Sequence, residues 1–148
     1  MHKVISSVFG IGYIGKGGGT VAAIAACIAW YFLHAGGYTV MQQVIISIVI
    51  CLLGIWSGNV VEKDWGKDNK KVVIDEVAGM CIALIAVPGS YLGILAALVL
   101  FRFFDIAKPL FIRSTEKLPG GWGVMMDDIV AGIYANLILQ FFIYLKWL

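Results

Sequence analysis

Charge is what this sequence has least of. Only 14% of its 148 residues are Asp, Glu, Lys or Arg, against about 25% in soluble domains. Hydrophobic residues take up 61%, where about 45–50% is usual. That imbalance excludes an ordinary soluble fold and points to a small integral membrane protein, a single domain over residues 1–148. A formal net charge of +2 is too small to argue for a nucleic-acid partner. Cysteine is scarce as well. Cys27, Cys51 and Cys81 are odd in number, lie in apolar runs and show no metal-binding spacing, so they read as small buried hydrophobes. The N-terminal VISSVFGIGYIG is too short and glycine-broken for a signal peptide and is expected to stay on the protein. GKGGGT lacks the spacing of a nucleotide-binding phosphate loop, and no internal repeat is visible.

Long apolar runs are what the chain does have. They predict an all-α, polytopic membrane bundle of about five helices behind a glycine-rich N-terminal loop. Residues 4–19 form that loop, which suits either a plain start to a helix or a close backbone approach to an anion. Thr20 is the N-cap candidate of a helix over 20–34, with His34 in the following turn. A second helix covers 40–57, and Gly58–Lys71 reads as a polar loop. A third covers 72–87 and ends at Pro88-Gly89-Ser90, a fourth covers 91–106, and a fifth runs from Asp127 to about Trp147. Taking Pro88 as the turn of a hairpin puts the glycine-rich loop and both polar loops on one side of the membrane. Lys16, Lys63, Lys67, Lys70, Lys71, Arg102, Lys108, Arg113 and Lys117 fall on that side and Lys146 on the other, so the positive-inside rule makes the first side cytoplasmic. Trp30, Tyr31, Tyr91 and Trp147 suit an aromatic belt at the far interface.

The few acids are placed oddly. Asp75 and Glu76 stand in the apolar run that begins VVIDEVAG, Asp105 closes FRFFD, and Asp127 and Asp128 open DDIVAGIYA. A charge at the centre of a membrane helix costs about 2.5–3.5 kcal/mol on insertion scales. The crossing count moves all five to the cytoplasmic helix ends, near helix N-termini in the third and fifth helices. Carboxylates without Cys or His nearby are hard oxygen ligands suited to Mg²⁺, and Arg102 and Lys108, three residues either side of Asp105, suit an anion. Gly79 and Gly132, each four residues past an acid, would let helices approach closely enough to bring the acids together.

VVIDEVAG, FRFFDIAKPLFIR and GVMMDDIVAGIYA, in this order, resemble the signature blocks of the phosphatidylglycerophosphatase A family. The resemblance runs from about Gly10 to Leu139. It implies a Mg²⁺-dependent phosphatase of the bacterial inner membrane, its active face toward the cytoplasm, converting phosphatidylglycerophosphate to phosphatidylglycerol. It implies Asp75, Glu76, Asp105, Asp127 and Asp128 as catalytic residues, and these with Asp68 as metal ligands. Thr20, Lys63, Arg102 and Lys108 are the candidate substrate contacts. Gly18 and Asn69 stand where the family commonly has proline. Either activated water or an aspartate would be the nucleophile. Another lipid phosphate monoester is an alternative substrate. A lipid phosphotransferase would need a D-x-x-D-G-x-x-A-R type run, which is absent, and an ion-coupled transporter would place acids at helix midpoints in matching halves.

Overall fold

The computed structural model describes residues 1–66, 69–109, 111–115 and 118–148. Among them every regular element is helical: α1 (His2–Ser6), a 3₁₀ turn (Ile11–Ile14), α2 (Gly18–Ala35), α3 (Val40–Trp65), α4 (Ile74–Ala83), α5 (Tyr91–Ala107), α6 (Ile112–Thr115) and α7 (Gly121–Tyr144). Three of these, α2, α3 and α7, are long and apolar enough to cross a membrane. Large apolar side chains such as Ile28, Leu52, Val99, Leu137 and Phe141 are exposed on the outside of the bundle, where lipid would cover them.

Several boundaries differ from the sequence reading. α3 does not stop at Ser57 but runs on to Trp65, so most of the supposed polar loop is helix. It starts with a capping box: Thr39 N–H donates to Gln42 Oε1 at 2.8 Å, and Gln42 N–H donates to Thr39 Oγ1 at 3.4 Å. α7 starts six residues before Asp127, at Gly121, despite the glycines there. The reason is tertiary. Gly121 lies against the Ile55 carbonyl and Gly58, where any side chain would collide, and its N–H donates to Asn59 Oδ1 at 2.8 Å. A neighbouring helix thus supplies the cap that the local sequence lacks. Thr20 is not an N-cap; Gly17 holds that place in a left-handed conformation, and Thr20 lies inside the first turn of α2. The N-terminal stretch carries α1 and the 3₁₀ turn rather than loop throughout. Trp30 is buried in the core, not in a belt, whereas Tyr31 stacks on Tyr91 with ring centroids 5.5 Å apart.

The hairpin at Pro88 is present, with α4 and α5 as its arms. α4 is only 10 residues long, about 15 Å, roughly half the hydrocarbon thickness of a bilayer. Three polar side chains from flanking helices meet the chain where it breaks. Asn136 Nδ2 donates to the carbonyls of Ala83 (3.0 Å) and Ile85 (2.8 Å). Gln140 Nε2 donates to Ile85 as well (3.0 Å), and Gln43 Oε1 accepts from Ala86 N–H (3.0 Å). Beyond the break Gly89 lies against the His34 ring, leaving no room for a side chain. The core sits between α4, α5 and α7, around Met80, Leu84, Phe101, Ala131, Ala135 and Leu139. The small residues on α7 let α4 lie close to it.

Candidate active site

At one end of the bundle, α4, α5 and α7 open a cavity of about 310 Å³. Asp75, Glu76, Asp105, Asp127 and Asp128 all line it, with Lys70 and Lys108. The convergence has a simple local cause. Gly79 presses on the Asp128 carbonyl and the Phe101 ring, and Gly132 presses on the Gly79 carbonyl. No side chain fits at either crossing point, so the acid-bearing turns of α4 and α7 are drawn together. Asp75 and Glu76 lie in the first turn of α4, where the helix dipole favours carboxylates. Asp127 and Asp128 do not: the early start of α7 puts them in its second turn, almost fully buried at 8% and 3% exposure.

The five acids divide by partner. Asp105 pairs with Arg102 at 2.5 Å and Asp127 with Lys108 at 2.6 Å. Lys108 reaches inward from a left-handed backbone (φ 44°) that caps α5 just before Pro109 ends the helix. Asp75, Glu76 and Asp128 instead converge on one another, each offering a carboxylate oxygen within 4.8 Å of the others. Like charges at that spacing repel by roughly 3–4 kcal/mol per pair at an effective dielectric constant of about 20. Asp75 Oδ1, Glu76 Oε2 and Asp127 Oδ1 are buried without a hydrogen-bond partner. Unpaired acceptor oxygens in an all-carboxylate group fit a bound cation, which would relieve both the repulsion and the missing bonds.

A second cavity of about 330 Å³ adjoins the first at Glu76 and is lined by the Gly15–Gly19 turn, Lys16, Lys70 and Arg102. The glycine-rich stretch therefore lies at the site. Glu76 packs over Gly19, which has no room for a side chain. The turn is tied down from the other side: Gly12 lies under the Lys71 carbonyl, and Val73 N–H donates to the Ser6 carbonyl at 2.9 Å. Lys71 turns away to the rings of Tyr13 and Trp65, at 5.4 and 5.5 Å, while its neighbour Lys70 lines both cavities.

Not every candidate falls here. Lys63 is exposed on α3 and lines neither cavity, and Thr20 lines neither although Gly19 does. Asp68 lies outside the described residues. Sequence reasoning passed over Asn69, Lys16 and Lys70 as site residues. The available signal was a lysine directly before three glycines, and a charged run ending against VVIDE.

The family description of phosphatidylglycerophosphatase A matches residues 4–143. The chain belongs to this family. A Haemophilus influenzae phosphatidylglycerophosphatase A is 39% identical over 88% of this chain and 82% of its own length. The Escherichia coli phosphatidylglycerophosphatase A is 35% identical over 83% and 72%. A Bacteroides thetaiotaomicron protein provisionally named phosphatidylinositol-3-phosphatase is 39% identical over 92% and 89%. No solved structure matches the chain. Membership of the phosphatidylglycerophosphatase A family makes this a phosphatase, with membrane helices and a carboxylate cluster that fits a metal ion.

Proposed function

We propose that this protein is a single-domain, Mg²⁺-dependent phosphatase that removes the terminal phosphate of phosphatidylglycerophosphate at the cytoplasmic face of a bacterial inner membrane. The observation that carries this reading is the meeting of Asp75, Glu76 and Asp128, with buried unpartnered oxygens, beside a cavity lined by Lys and Arg. Asp75, Glu76 and Asp128 would hold the ion, with Asp127 Oδ1 beside them. Bound Mg²⁺ would offset phosphate charge and acidify water. Arg102 spends a guanidinium donor on Asp105 and has others to offer the lipid head group. Lys108 anchors Asp127 through Oδ2, which leaves Oδ1 as the candidate acceptor for a proton from the attacking water. The apolar outside of the bundle keeps acyl chains in lipid while the head group reaches the polar mouth.

Purified protein should release phosphate from phosphatidylglycerophosphate only with Mg²⁺ present, and EDTA or Asp75→Asn should abolish release. Turnover that survives either change overturns the metal role. The Bacteroides relative's name favours one second reading, hydrolysis of a phosphoinositide. A side-by-side assay with phosphatidylinositol 3-phosphate decides between them: kcat/KM should favour phosphatidylglycerophosphate.

A further inference from the structure

The basic cavity is not needed to hold the reacting phosphate, since the acidic cavity next to it carries the groups for that. It nonetheless brings Lys16, Lys70 and Arg102 together against one carboxylate, Glu76. Neither Lys16 nor Lys70 makes an ion pair among the described residues. Apart from Val72, the rest of the wall is glycine backbone. Gly15 and Gly17 have positive φ angles of 83° and 94°, and a Cβ built at either would meet nothing within 4 Å. Open glycine backbone and unpaired ammonium groups around one space favour an anion. Glu76 and Lys70 line both cavities, so an anion there would sit one side chain away from the reacting phosphate.

Resting on the phosphatase reading above, we propose that the cavity of Lys16, Lys70, Arg102 and the Gly15–Gly19 turn binds the phosphodiester of the lipid. The enzyme then selects substrates with two phosphates joined by a short polyol: a monoester for the acidic cavity and a diester for the basic one. Lys16 and Lys70 become specificity residues, and a lipid whose single phosphate is a monoester leaves their cavity unfilled.

The product keeps the diester, so binding can be read without turnover. Full-length protein in detergent is titrated with short-chain phosphatidylglycerol, with and without inorganic phosphate as competitor. Lys16→Gln and Lys70→Gln, checked for unaltered Tm, should each bind about tenfold more weakly than the parent, the loss expected for one charge-assisted hydrogen bond. Inorganic phosphate should not displace the lipid. The preference in kcat/KM for phosphatidylglycerophosphate over phosphatidate should shrink by a similar factor, through KM. Equal binding by parent and variants overturns the proposal. Displacement by inorganic phosphate also overturns it, assigning the cavity to the released phosphate. Failure of every lipid phosphate to be hydrolysed would sink the phosphatase reading instead, while the binding comparison would still decide this one.

Discussion

Gly19 and Gly132 both lack room for a side chain, yet the obstruction differs. At Gly19 the obstacle is the Glu76 carboxylate, the movable end of a side chain. At Gly132 it is the Gly79 carbonyl, fixed in the backbone of α4. Gly19→Ala should therefore displace Glu76 and lower kcat about tenfold or more, while Tm in detergent moves by less than about 2 °C. Gly132→Ala should cost about 1–3 kcal/mol through overpacking and lower Tm by several degrees. A thermal melt beside an activity assay on each variant checks the contrast. The sequence patterns D-E-x-x-G and D-D-x-x-A-G already placed Gly79 and Gly132 on the acid-bearing faces, because helical spacing alone decides that. It did not separate Asp105 and Asp127, which pair with cations, from Asp75, Glu76 and Asp128, which face each other. Nor did it tell Lys70 from Lys71. Lys71 lies over the rings of Tyr13 and Trp65, and its carbonyl packs on Gly12, a contact across more than fifty positions of chain.

Among the elements, the ones misread are those whose ends are set by a neighbour. Gly120 and Gly121 look like loop residues until α3 presents the Asn59 amide oxygen to the first turn of α7. The stretch after Ser57 looks like loop because it is polar, but a helix leaving the bilayer should turn polar there without ending. α5 was legible at both ends. Ser90 accepts from Gly93 N–H at 3.1 Å as its cap, and Lys108-Pro109 closes it. The break after α4 was half legible. Pro88 and Gly89 announced a turn, but not that the helix would stop five residues earlier, at Ala83, against Asn136 and Gln140. Asn136→Leu removes the donor to the Ala83 and Ile85 carbonyls. Ile85 keeps Gln140 as a donor, while the Ala83 carbonyl is left unsatisfied at a cost of about 1–3 kcal/mol. The variant should melt well below the parent in detergent, with the acidic cavity intact and phosphatase turnover retained at low temperature.

For the molecule as a whole, the crossing count rested on Pro88 lying between helices, and all five acids do meet at one end. That end also carries Lys16, Lys70, Arg102 and Lys108. The cytoplasmic orientation proposed for that end is testable directly. A cysteine at Lys16, in a variant with Cys27, Cys51 and Cys81 replaced by serine or alanine, should react with an impermeant maleimide in inside-out vesicles and stay unlabelled in intact spheroplasts. The opposite pattern would put the site outside. The half-length α4 also bears on how the protein is made. Its stranded carbonyls wait for Asn136, 53 residues further along the chain, which at about 5–20 residues per second is several seconds of synthesis. Until α7 arrives, the α4–α5 hairpin carries unpaired peptide groups that lipid cannot satisfy. A helix made well after the hairpin is thus the one that seals the middle of the bundle, and a nascent chain stalled before it is a natural substrate for membrane quality control.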